Sequence, residues 1–222
     1  MYYKVLDKNN CAAHRGTFDY TPYLDGTWTP RVKDTIICKR GYHGTTKPME
    51  WPLIGMRVYA LKYRGGGDAG DGGKRVFESI SIQEEHPELV PQWWHDVEDF
   101  VAGLKDIPWG VPQCEPKDNW VVCGSRDAAW SAGYIVWDAA RRATRDAAWD
   151  AAREDARRAA WDAAREDACL MASLLVCQDL DIPQKHIDYI KGEWDVRANG
   201  YGCAGYKDGK YLVYKIGGCD GN

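Results

Sequence analysis

"WDAARRATRDAA WDAAREDARRAA WDAAREDACLMA", residues 137–172, reads as one 12-residue unit written three times. Its finer period is four. Small residues fill two adjacent columns, from Ala139 and Ala140 through Ala147, Ala148, Ala151 and Ala152 to Ala159 and Ala160. A third column alternates Trp137, Trp149 and Trp161 with arginines, and the fourth is mostly acidic. Alanine is the best helix former, and charges three or four residues apart add about 0.2–0.5 kcal/mol per pair. Glu154 can reach Arg157 and Arg158, and Trp149–Arg153 and Trp161–Arg165 are spaced for cation–π contact. The pattern predicts helix from an N-cap at Ser125, with Asp127 in the first turn, to about Leu180, with Gly133 as a weak point.

A period of four does not match 3.6 residues per turn. Each tetrad moves the alanine stripe by about 40°, so it cannot stay on one face of a straight helix. Either different neighbours wrap the helix along its length, or it coils with copies of itself, or it breaks into pieces. One unbroken helix would span roughly 80 Å. Trp137, Ala148, Trp149, Ala152, Ala160 and Trp161 are the residues expected to form its packing or oligomer interface.

The flanks are different in kind. Residues 1–83 are β-rich: MYYKVLD, DTIICKR, MRVYALKY and KRVFESISI read as strands, with RGGGDAGDGG as a flexible hairpin loop. PQWWHDVEDFVAGLK (91–105) reads as a helix, with Trp94, Val97, Val101 and Leu104 on one face. PQKHIDYIKGEW reads as a short helix, and a hairpin turns at Asp208-Gly209, a type I′ signal. The expectation is an α+β fold: a β-rich N-terminal domain over 1–120, an Ala/Trp/Arg helix over 125–180, and a short helix plus β-hairpin over 181–222.

Composition narrows function. The chain carries 29 basic and 33 acidic residues, a net charge of −4, which argues against general nucleic-acid binding. No apolar run is long enough for a membrane span, and MYYKVLDKNN has no signal-peptide core, so a cytoplasmic location is expected, the host's if the gene is a phage's. The eight cysteines form no CxxC and do not cluster with the five histidines at zinc spacing; free thiols and no metal or cofactor are expected. No phosphate-binding glycine loop or nucleophile elbow occurs.

GYHGTT (41–46) is the one suggestive motif. Gly41 and Gly44 let the backbone turn and present amides. With Arg15 and Lys47 for charge and Trp51 for stacking, residues Arg15, Tyr42, His43, Gly44, Thr45, Lys47 and Trp51 make a candidate site for a nucleotide-like ligand or an acidic peptide. The plainer alternative is a strand-to-turn corner with a hydrogen-bonded His43. No catalytic residue is assigned.

His-Gly-Thr after a strand resembles the first element of the ADP-ribosyltransferase fold. That resemblance implies an NAD site completed by Tyr59 or Tyr63 and by Glu78 or Glu84, at a spacing short for that fold. A wider resemblance covers most of the chain. YYKVLDKN, the stretch at 15–18, CKRGYHGTTKPMEW and KRVFESISI are similar to a domain of unknown function common in phage and bacterial accessory proteins. The repeat with HIDYIKGEWDVRANGYG and DGKYLVY is similar to a second set of phage and bacterial proteins with Ala-rich helical repeats before a hairpin. These resemblances imply a non-enzymatic phage accessory protein that self-associates and binds a protein or a nucleotide-like ligand, possible roles including countering host defence. The alternatives are an ADP-ribosyltransferase-like enzyme and a structural virion component.

Overall fold

The computed structural model describes residues 1–12, 16–66 and 73–216, the side chains of 132–136 excepted. The fold is α+β, as the sequence predicts, and the chain forms two compact units, Met1–Glu98 and Asp99–Asn222. The division falls at Glu98, and the repeat and the C-terminal hairpin belong to the same unit.

The N-terminal unit is a five-stranded antiparallel sheet ordered β4-β2-β1-β3-β5. Its strands are β1 (Tyr2–Leu6), β2 (Tyr42–Thr45), β3 (Arg57–Arg64), β4 (Lys74–Phe77) and β5 (Ser79–Glu85). β4 and β5 are opposite edges, yet only Glu78 separates them in the chain. One residue spans about 3.5 Å, whereas a flat five-stranded sheet is nearly 20 Å across. The sheet therefore curls until its edges meet. Leu6, Tyr42, Leu61, Phe77, Ile80 and Ile82 belong to the buried cluster of this unit. Two expectations are corrected here. KRVFESISI is not one strand but two, bent at Glu78. RGGGDAGDGG does not close a hairpin, since β3 pairs with β1 and β5 and not with β4; the centre of that loop lies outside the described residues.

DTIICKR is not a strand either. Its backbone turns back on itself, with Ile36 bridging Arg40 and positive φ at Asp34 (53°) and Cys38 (61°). The strand begins after it, so that GYHGTT, expected as the corner beyond a strand, contains β2 itself.

Helix α1 (Gln92–Gly103) forms where expected and buries Trp93, Trp94 and Val97. In the C-terminal unit the hairpin of β7 (Tyr201–Lys207) and β8 (Lys210–Lys215) turns at Asp208 and Gly209, with φ of 51° and 81°, as a type I′ turn requires. β6 (Trp120–Val122), not foreseen, adds in parallel to β8. α2 (Arg126–Asp150) packs over β7 and β8 and against α5 (Gln184–Ala198).

The repeat is helical but is not one helix. Ser125 caps α2 as expected, accepting from the Ala128 N–H at 3.2 Å. α2 then ends at Asp150, α3 spans Glu154–Ala163, a 3-10 turn covers Glu166–Ala168, and α4 runs Cys169–Val176. The first break is a left-handed cap: Ala152 has φ +55°, its N–H bonds Trp149 O, and the Arg153 N–H bonds Ala148 O at 2.7 Å. Ala140, Thr144 and Ala148 of α2 and Ala156 and Ala160 of α3 are fully buried, so each short piece shows its small residues to its own neighbours. Trp149 (69 % exposed) and Ala152 stay in solvent, and of the six expected interface residues these two do not pack within the chain. Trp137 stacks under Arg141 at 5.3 Å within its unbroken copy. The two expected stacks across the breaks are replaced: Arg153 pairs with Asp179, and Arg165 lies over Trp109 at 4.4 Å.

Candidate functional site

Gly41 has φ +110°, and a Cβ there would come within 2.7 Å of the Val76 side chain; only glycine lets the turn at 34–40 enter β2. From there the strand alternates. Tyr42 faces the core cluster and its hydroxyl donates to Pro30 O at 2.9 Å, so it is a packing residue rather than a site residue. His43 points to the other face. Its Nε2 accepts the Cys38 N–H at 2.8 Å, which pins the turn to the strand.

β1 and β2 pair at a single register, Tyr3 opposite Thr45. Alongside it the Lys4 ammonium takes the place of a strand neighbour. It donates to His43 O at 3.0 Å and lies 4.6 Å from the centre of the Tyr20 ring. Lys74, opposite Thr45 on β4, reaches Cys38 Sγ at 3.3 Å and sits 4.1 Å above the Trp51 indole. Together with Lys39 these lysines line a cleft of about 570 Å³, whose walls include Phe18, Trp51 and His43 and no aspartate or glutamate among the described residues.

The electrostatics follow from that composition. Burial, then the charge of Lys74, pushes the Lys4 ammonium down from 10.5 to about 7. Burial, then Lys74 and Lys4, pushes His43 down to about 4, so the ring is neutral and Nε2 is free to accept. Both groups are disfavoured as cations first by burial and then by the neighbouring ammonium charge. An anion entering the cleft would reverse that penalty.

Of the expected site residues, the structure brings His43, Gly44, Thr45 and Trp51 to this cleft. Lys47 pairs with Glu50 at 2.8 Å and does not line it. Arg15 lies outside the described residues, although Gly16 and Thr17 beside it line the cleft. Lys4, Lys39, Lys74 and Phe18 were missed. Lys4 was findable: in YYKVL it shares a face with Tyr2 and Leu6, so an inward position of a strand carries an ammonium. Lys74 and Lys39 had no such signal, because only the curled sheet brings them together.

No family model, curated protein or solved structure matches the chain. The residues that an ADP-ribosyltransferase-like site needs are not assembled around His43. Tyr59 is buried in the core, Glu78 pairs with Arg31 at 2.6 Å, and neither Glu78 nor Glu84 lines the cleft. Among the described residues no group of three or more His, Cys, Asp or Glu could hold a metal ion, and no helix is long and apolar enough to cross a membrane.

Proposed function

We propose that the N-terminal unit is a binding module for a small organic anion with a flat ring, a nucleotide-like ligand. The observation that carries this reading is the grouping of Lys4, Lys39 and Lys74 around one cleft with no lining carboxylate among the described residues. The phosphate takes the ammonium groups, which are strong donors to it, and the ring takes the aromatic wall. Such a binder suits the phage or bacterial accessory role that the resemblance implies. Self-association belongs to the same proposal and is supported by the exposed Trp149 indole; light scattering reads the mass, and a monomer at high concentration removes that part.

Calorimetry with NAD, ADP-ribose and cyclic nucleotides tests the ligand class. Binding of at least one is expected, with Lys74→Ala weakening it about tenfold or more. Because Lys4 is pushed down to about 7, binding at pH 8 should take up a proton, seen as a heat that depends on the buffer's ionisation enthalpy. Binding of adenosine as tight as that of its phosphates, or no binding by any of these anions, would overturn the proposal.

A further inference from the structure

Of the described cysteines only Cys38 is exposed. Cys169, Cys177 and Cys203 are buried, and burial pushes their thiols up to about 11, about 11 and about 12, so they stay neutral packing groups. Cys11 is half-buried; burial, then the charges of Asp7 and Asp19, push its thiol up as well. Cys38 differs in exposure and in surroundings.

Its place is fixed from two sides. The turn at 34–40 closes on the bridge from Ile36 to Arg40, and the Cys38 N–H donates to His43 Nε2 at 2.8 Å, which ties the turn to β2. From β4 the Lys74 ammonium donates to Cys38 Sγ at 3.3 Å. Lys39, the next residue, is exposed and lines the same cleft. The sulfur thus stands in a cleft lined by cations, with no lining carboxylate among the described residues. Exposed, electropositive surroundings are those of reactive thiols, whereas thiols buried among apolar groups are inert. Lys4 shows independently what this cleft favours. It lines the cleft while only 4 % exposed, its ammonium against the His43 carbonyl and the Tyr20 ring. A buried cation that no lining carboxylate neutralises favours an anionic guest.

We propose that Cys38 is a modification site for small anionic disulfides of the glutathione type, which Lys39 and Lys74 draw to the sulfur. This rests on the anion-binding reading of the cleft and adds a covalent step to it. The Cys38 sulfur, as the thiolate, attacks one sulfur of the disulfide; a new S–S bond forms as the old one breaks, and the departing sulfur leaves as a thiolate. The proton lost by Cys38 passes through water to that leaving thiolate. Cys38 is oxidised, the departing half is reduced, and the small disulfide is the oxidant. The bond stays reversible by a free thiol.

The test takes the reduced full chain with oxidised glutathione, an anionic disulfide, and with cystamine, a cationic one, and follows the Cys38 peptide by mass spectrometry. Each rate is divided by that of mercaptoethanol, a neutral thiol, with the same disulfide. The corrected rate at Cys38 should be higher for oxidised glutathione by about tenfold or more. Lys74→Gln should lower that rate about tenfold. Lys39→Gln, at an exposed position where the fold survives, should lower it about threefold, which keeps the test decisive if Lys74→Gln does not fold. No modification of Cys38, equal corrected rates for the two disulfides, or a Lys39→Gln protein that reacts as the parent does would overturn the proposal. Nucleotide calorimetry on the reduced chain tests the ligand class separately. Nucleotides that bind while Cys38 shows no charge preference remove this inference alone, and a charge preference at Cys38 with no nucleotide bound removes the nucleotide reading alone.

Discussion

Lys4 and His43 set the pH behaviour of the N-terminal unit. The Lys4 pKa is about 7 when folded and 10.5 as an ordinary lysine. Between those values the unfolded chain holds a proton that the native protein has released, so stability should rise with pH from about 7 towards 10.5 and be flat with respect to this group below 7. Lys4→Met should remove that slope, read by urea unfolding at pH 6 and pH 9; an unchanged slope would refute the assignment. His43, at about 4 against an ordinary 6.5, works in a lower window. Here too the unfolded chain is the better base, so stability should be lost as pH falls from 6.5 to 4. His43→Gln keeps an acceptor for the Cys38 N–H and should flatten that loss relative to the parent. Of this residue-scale chemistry the sequence reading anticipated a hydrogen-bonded His43 and passed over the inward lysine of YYKVL. It did not show that the two groups meet, because the Lys4–His43 contact spans 39 residues.

At the scale of elements, both breaks in the repeat fall at the same point. α2 and α3 each end within Trp-Asp-Ala-Ala, at Trp149–Ala152 and Trp161–Ala164, and each is followed by Arg-Glu-Asp. The first copy, Trp137–Ala140, is followed by Arg-Arg-Ala and stays helical. Glu154 and Asp155 in the first turn of α3, and Glu166 and Asp167 in the 3-10 turn, favour a new helix start over continuation of the old one. Ala152 bears the strain of the first break at φ +55°. Ala152→Gly should therefore stabilise the protein, by about 1 kcal/mol, although glycine is the poorer helix former. A loss of stability in thermal unfolding would mean that this cap is not the native one. Gly192 in α5 is the reverse case. Alanine would gain about 1 kcal/mol in propensity, but its Cβ would lie 1.9 Å from the Tyr211 hydroxyl, which donates to Asp188 O at 3.0 Å. The steric cost wins: Gly192→Ala should destabilise by about 1–3 kcal/mol, and a stabilised variant would refute the packing.

The whole molecule is two units, each with its own sheet and core. Ala148 is fully buried where α2 packs, whereas Ala152 is exposed. Ala148→Glu buries an unpaired charge and should cost more than about 3 kcal/mol, while Ala152→Glu should stay within about 1 kcal/mol. The damage should be local. Hydrogen exchange on Ala148→Glu is expected to open amides of 99–216 and to leave those of β1 to β5 protected; loss of protection in both units would show that they fold as one.

The helical character of the repeat, the strands β1 and β3, helix α1 and the turn at Asp208-Gly209 were legible because their causes are local: alanine content, alternation, apolar spacing and left-handed turn residues act within a few positions. The Arg-Glu-Asp breaks were also written locally, but helix propensity there outweighs them until Arg153 finds Asp179 and Arg197 finds Asp167. The lysine cleft and the cavity of about 910 Å³ in the C-terminal unit were not legible. They depend on a sheet that curls because Glu78 joins its two edges, and on α2, α5 and β8 converging. Those long-range pairings are decided by what the whole chain can bury together, a condition that no window of sequence contains.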